Sequence, residues 1–247
     1  MTPPRTTRAL FVTGTDTGIG KTVVSLLLMR ALYRRGEAPF YYKLVQTGCA
    51  TPDDRDSDAR FIYTHTPELT GSDPASSVGW CFSAPKAPLY AAQDELRTIE
   101  TDALLHRLAS LRMEHACLVV EGAGGLMVPF TADALGIDLI RAVDLAPILV
   151  ARAGLGTVNH TLLSVEALDR RGVMPAGIVF VHNGERPTAP DLIRDNMEAV
   201  AMFSGISVCG VVPHIANLHA PPDEILDLMD RLLDALPTRP QCLLPLG

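Results

Sequence analysis

The sequence predicts an α/β fold: a mostly parallel sheet of about seven strands with helices on both faces. Three observations carry this. Apolar runs of strand length recur along the chain, and each is followed by a pattern of helical period. The runs are apolar throughout rather than alternating, as strands covered on both faces are. The 247 residues suit one α/β domain spanning 1–247 better than two small ones. Right-handed crossovers then bring the C-terminal end of every strand to one rim, where such sheets bind ligands. A polar residue just after a strand is therefore a site candidate.

The first strand is expected over 9–13, before a helix over 21–35 whose Val24, Leu27, Leu28, Ala31 and Leu32 keep one apolar stripe. A second strand covers 40–45. The stretch 50–87, with Pro52, Pro67, Pro74 and Pro85, is the least regular and reads as a long excursion holding one short helix over 56–64. The helix 101–114 carries Leu104, Leu105, Leu108 and Leu111 on one face and leads into a strand over 117–121. A strand over 147–151 precedes a helix from about 157 to 171. Strand 176–181 precedes helix 190–203, strand 208–212 precedes helix 222–236, and 237–247 reads as a loose tail.

Composition narrows the function classes. Apolar residues make up 47% and charged residues 20%, ordinary values for a globular protein. The net charge is −7 with Lys and Arg scattered, which argues against nucleic acid or an anionic membrane as partner. No apolar run approaches the ~18 residues of a membrane span, and the polar first eight residues lack the apolar stretch of a secretory signal. The five cysteines form no Cys-x-x-Cys pair and read as reduced, structural thiols, so a cytoplasmic setting is expected.

The chemistry-bearing residues follow the strands. After the first comes Gly14-Thr15-Asp16-Thr17-Gly18-Ile19-Gly20-Lys21-Thr22-Val23. Backbone N–H groups of such a loop converge on a phosphate, the helix start adds partial positive charge, and lysine neutralises the outer oxygens. Thr22 has the place of a Mg²⁺ ligand. The strict P-loop pattern asks for glycine at position 15, where this chain has threonine, but strand, loop, Gly-Lys-Thr and helix arrive in the required order. The loop thus predicts ATP, with Mg²⁺, in a P-loop NTPase-like fold.

Lys43 interrupts the second strand near the rim. It either snorkels to solvent or finds an anionic partner there. Asp56-Ser57-Asp58 opens the short helix and reads either as an N-cap or, through Asp58, as a carboxylate for Mg²⁺. Glu121, followed by Gly122, Ala123, Gly124 and Gly125, ends a buried strand in the position of a Walker-B acid. Gly154, Leu155, Gly156 and Thr157 open another helix, as an anion site or as a packing turn. Nearby His160 reads as structural rather than catalytic. Asn183, and Pro213, His214 and Ile215, end strands on the rim where an adenine ring would sit, and an Asn amide matches the adenine edge.

In order from Gly14 to His160, the loop from Gly14 to Thr22, Tyr42-Lys43-x-Val45-x-Thr47-Gly48, Ser57-Asp58-Ala59, the run from Glu121 to Gly125 and Gly156-x-x-Asn159-His160 resemble the dethiobiotin synthetase family. The shifted P-loop glycine is that family's own spacing. The resemblance implies an ATP-dependent cyclo-ligase that carboxylates 7,8-diaminopelargonate with CO₂ or bicarbonate. The carbamate is then phosphorylated, and the ureido ring closes with loss of phosphate. It also implies a homodimer, with Lys21 and Lys43 as catalytic lysines and Thr22, Asp58 and Glu121 around Mg²⁺. The nucleotide would be held by Asp16, Gly18, Ile19, Gly20, Lys21, Thr22, Val23, Asp58, Glu121, Gly122, Ala123, Gly124, Asn183, Pro213, His214 and Ile215. Thr47 is implied in substrate contact, and Gly154 to Thr157 of the other subunit near the substrate carboxylate.

Two rival readings differ in testable features. A regulatory P-loop switch ATPase of the partitioning type carries an extra lysine early in its loop, and residues 14–20 contain none. A related amide-forming ligase usually carries a glutaminase domain, for which 247 residues leave no room.

Overall fold

A computed structural model describes residues 6–143, 145–182, 188–236 and 239–240. The chain runs β1 (Thr6–Gly14), α1 (Lys21–Arg34), β2 (Phe40–Thr47), α2 (Asp58–His65), β3 (Val78–Phe82), α3 (Pro88–Asp94), α4 (Thr101–Glu114) and β4 (Cys117–Glu121). It continues through α5 (Gly136–Val143), β5 (Ala146–Arg152), α6 (Thr157–Asp169), β6 (Gly177–Val181), α7 (Pro190–Ser204), β7 (Val208–Val212) and α8 (Asp223–Ala235). Seven strands lie parallel in the order β3-β2-β4-β1-β5-β6-β7. This is the expected parallel α/β sheet.

Three differences from the sequence reading are instructive. The irregular excursion ends in β3, the edge strand beside β2, rather than holding only a helix. Its residues are only partly covered, and the edge position removes the continuous apolar signature that marked the inner strands. Helices α3 and α5 were not anticipated, because seven or eight residues give a helical period too little length to repeat. Within the expected tail, Arg239–Pro240 pairs antiparallel with Thr6 and Thr7 as a short eighth strand, and the rest of 237–247 lies outside the described residues.

Strand alternation sorts side chains onto two layers. Leu10 and Val12 of β1, Tyr41 of β2, Cys117 and Val119 of β4 and Ile148 and Val150 of β5 pack on the face covered by α1, α2 and α8. Phe11, Tyr42, Leu118 and Val120 pack on the opposite face beneath α3, α4 and α5, and Leu149, Ala151, Ile178 and Phe180 pack beneath α6 and α7. Continuing the alternation, Lys43 and Glu121 take the α1 face at the sheet's C-terminal edge. Among the described residues, no helix is long and apolar enough to cross a membrane.

Candidate active site

The phosphate-loop candidate lies where the connections from the sheet's centre run in opposite directions, β1 to β2 over β4 and β4 to β5 over β1. The loop is tied down at its start, where Thr15 N–H donates to Val150 O at 3.0 Å. Its end is set by Gly20, which caps α1 with φ +98°, in the left-handed region, and has Val181 so near that a Cβ would lie 2.7 Å from Cγ1. Asp16 Oδ1 accepts from Thr17 N–H at 2.7 Å, and Lys21 Nζ donates to Asp16 O at 2.8 Å. Burial, then the neighbouring Lys43 ammonium, lower the Lys21 pKa to about 8. A cation so disfavoured gains from any incoming anion.

Next to this loop, β2 and β4 place Lys43 directly beside Glu121 in register. Lys43 is 4% exposed, and its ammonium lies 2.6 Å from Asp58 Oδ2, 2.8 Å from Glu121 Oε1 and 3.0 Å from Gly122 O. It does not snorkel. Burial pushes its pKa down, but the Asp58 and Glu121 carboxylates outweigh burial and raise it. Asp58 answers in kind: burial pushes its carboxyl up, yet the Lys43 ammonium and the hydrogen bonds from Lys43 and Thr22 hold it below the usual range.

The N-cap reading of Asp56-Ser57-Asp58 holds, and Asp58 beside it faces the site. Ser57 is the N-cap of α2 and accepts from Arg60 N–H, while Asp58, the first helical residue, turns its carboxylate to Lys43 and Thr22. Thr22 Oγ1 donates at 2.6 Å to Asp58 Oδ1 and at 3.0 Å to Glu121 Oε1. Thr22, Asp58 and Glu121 therefore form an all-oxygen cluster of one hydroxyl and two carboxylates, the donor type that Mg²⁺ takes together with phosphate oxygens. The residues fit that ion.

A cavity of about 200 Å³ joins these groups, lined by Thr17, Gly18, Gly20, Lys21, Thr22, Lys43, Val45, Gln46, Thr47, Asp58, Glu121, Ala123 and Gly124. A hollow of about 380 Å³ shares Thr17 with it and is lined in part by Asp16, Gly125, Met127 and exposed His160. Other sequence candidates sit apart from the first cavity. Ile19 is fully buried beneath the loop, Val23 is half-buried on α1, and Gly122 contributes its carbonyl to Lys43. Gly154, Leu155, Gly156 and Thr157 start α6 on the same rim, with Leu155 exposed and Gly154 O accepting from Thr157 N–H and Asn196 Nδ2. Pro213 and His214 are exposed and Ile215 half-buried after β7, whereas Asn183 lies outside the described residues.

Three participants escaped sequence reasoning. Gln46 Oε1 accepts from Asp58 N–H at 3.0 Å. Ser25 Oγ and Tyr41 Oη donate to Glu121 Oε2 at 2.8 and 3.0 Å. Burial, then the Glu121 charge, hold the Tyr41 phenol well above its ordinary pKa, so this oxygen keeps the proton it donates. The signal for them was spacing: Ser25 is one helical turn after Thr22, and Tyr41 two strand residues before Lys43.

Against known proteins, the family model described as "AAA domain" matches residues 8–222. ATP-dependent dethiobiotin synthetase BioD of Anaeromyxobacter dehalogenans (strain 2CP-C) is 43% identical over 187 residues, covering 74% of this chain and 81% of that protein. The chain belongs to the dethiobiotin synthetase family. The BioD synthetase of Bacillus subtilis (strain 168) is 35% identical over 211 residues, 85% of this chain and 89% of its own. Among solved structures, the cell division protein MinD of Aquifex aeolicus superposes with a TM-score of 0.55 at 12% identity over 92% of this chain and 97% of that one. A ParA family ATPase from Chlorobium tepidum TLS gives a TM-score of 0.51 at 12% identity, covering 92% of each chain. Those two share the fold alone.

Proposed function

We propose that this member of the family makes dethiobiotin for biotin biosynthesis, joining 7,8-diaminopelargonate and CO₂ with cleavage of ATP to ADP and phosphate. The observation that carries the reading is convergence: Lys21, Thr22, Lys43, Asp58 and Glu121, up to 100 positions apart in the chain, line one cavity at one edge of the sheet. One substrate amine adds to CO₂ and loses a proton, giving a carbamate. A carbamate oxygen takes the γ-phosphoryl group and ADP leaves. The second amine then attacks the carbonyl carbon, closing the ureido ring and expelling phosphate.

On this reading the N–H groups of the loop from Gly14 to Thr22 and the Lys21 ammonium hold the triphosphate. Lys43, fully charged and fixed by three oxygens, faces the charge that gathers on the carbamate and the transferring phosphoryl group. Thr22, Asp58 and Glu121 are the ligands we assign to Mg²⁺, which when bound neutralises charge on the phosphate oxygens. Thr47, which lines the same cavity, is the residue we assign to hydrogen-bond the diamine. In a homodimer, the α6 start at Gly154 to Thr157 of one subunit meets the substrate carboxylate at the site of the other. That arrangement also keeps water from the hydrolysis-prone carbamoyl phosphate. A cytoplasmic location belongs to the same proposal.

The test is substrate dependence. ADP release, followed by a coupled assay, should require diaminopelargonate and bicarbonate together. Sustained hydrolysis with neither present overturns the synthetase reading in favour of a switch ATPase.

A further inference from the structure

Glu121 is 0% exposed, and four donors reach it. Oε1 takes Thr22 Oγ1 at 3.0 Å and Lys43 Nζ at 2.8 Å, and Oε2 takes Ser25 Oγ at 2.8 Å and Tyr41 Oη at 3.0 Å. An ionised carboxylate offers about four lone-pair sites, and two donors meet each oxygen, those on Oε1 being the ones an incoming cation can displace. The donors are divided unevenly by origin. Those on Oε1 come from cavity-lining residues, whereas those on Oε2 come from two side chains in the packed interior, Ser25 at 0% and Tyr41 at 1% exposure. The division follows from where each donor sits: Ser25 one turn below Thr22 on α1, Tyr41 one pleat below Lys43 on β2.

We propose that Ser25 and Tyr41 are positioning residues that clamp Glu121 Oε2 from the core and so aim Oε1 at the phosphate cavity. This rests on the function proposed above, in which Glu121 serves the metal. Neither residue lines the cavity. Two donors on one oxygen fix both the rotamer and the plane of the carboxylate. Groups that orient a metal ligand from behind in this way typically govern metal affinity tenfold or more without coordinating the ion.

The experiment measures Mn²⁺ binding to the protein–ADP complex by the electron paramagnetic resonance of free Mn²⁺, together with metal-free ADP binding by calorimetry. Ser25→Ala and Tyr41→Phe, each the loss of one oxygen, should weaken Mn²⁺ binding by about tenfold or more, and leave metal-free ADP affinity within about twofold. Ser25→Thr, which keeps a hydroxyl, should restore the Mn²⁺ affinity, and it carries the test if Tyr41→Phe folds poorly. In a Glu121→Gln background the same substitutions should change Mn²⁺ affinity by less than about threefold, because neighbours acting through one group are non-additive. If Glu121→Gln weakens Mn²⁺ but the hydroxyl variants do not, or if their effects simply add, the clamp is wrong while the metal reading stands. If Glu121→Gln leaves Mn²⁺ binding unchanged, both fall.

Discussion

Replacing Lys43 by alanine is the sharpest single perturbation of this site. It strips an ammonium that spans two carboxylates, Asp58 Oδ2 at 2.6 Å and Glu121 Oε1 at 2.8 Å. Removing one partner of a buried pair typically costs about 3–5 kcal/mol, because an uncompensated charge stays behind. Glu121 is sealed, but the Asp58 side chain is 25% exposed and water screens it, so the lower end, about 3 kcal/mol, applies. At ~2–4 °C per kcal/mol for a chain of this size, the melting temperature should fall by roughly 6–12 °C. Added Mg²⁺ should recover part of that loss, since the divalent ion is drawn to the two carboxylates the lysine leaves. The pH dependence has a definite sign. Lys43 is held above its ordinary pKa, so its contribution persists through neutral pH and fades only above about 10.4; Asp58 is held below its own, so its share is lost as pH falls below about 4. The gap between wild type and variant should therefore close in acid. Scanning calorimetry with and without Mg²⁺, from pH 3 to 9, measures all of this. In steady state, turnover should drop by on the order of 10²-fold or more with ADP affinity nearly kept. A melting temperature within about 2 °C of wild type at pH 7, indifferent to Mg²⁺, would refute the argument.

Lys21→Ala should instead abolish nucleotide binding, and equal loss of binding in the Lys43 variant would show that the two lysines have the same role. With its pKa at about 8, Lys21 is close to half neutral at pH 8, and a bound polyphosphate restores the proton. ADP binding should therefore take up about half a proton at pH 8 and almost none at pH 6, read by calorimetry in buffers of different ionisation enthalpy; no uptake at pH 8 would remove the lysine from the phosphate site. In the free protein the same depressed value means that the ammonium costs stability below pH 8 and that this cost lifts as pH rises towards about 10.4. Gly18 and Gly20 separate strain from collision. Both have positive φ, but a Cβ on Gly18 meets nothing within 4 Å, whereas on Gly20 it would lie 2.7 Å from Val181 Cγ1. Gly18→Ala should cost about 1 kcal/mol in urea unfolding, Gly20→Ala distinctly more with weakened ADP binding, and equal costs would place the loop's constraint elsewhere.

Much of this protein is written locally. A helical stripe and an all-apolar strand each announce themselves within a dozen residues, and helix Thr101–Glu114 and strands Cys117–Glu121 and Val208–Val212 lie where their periodicity puts them. The glycine-rich loop with Lys21 and Thr22 stood out as a phosphate-site candidate for the same reason: phosphate binding at a helix start needs a contiguous run of residues. Lys43 and Asp58 were legible only as alternatives, because a lysine in a strand and an aspartate at a helix start each have an ordinary explanation. Tertiary structure alone decided the first, burying Lys43 against two carboxylates, and showed which neighbours Asp58 meets. The order β2-β4-β1 sets Lys43 beside Glu121 across 78 positions of sequence, and α2 folds back to bring Asp58 against both. It likewise chose the partners of Glu121, since a pattern of residues tells which face a side chain takes but not which strand lies next to it. Periodicity is a property of one segment; strand order and charge pairing depend on how distant segments bury one another, and that is settled only when the whole core packs.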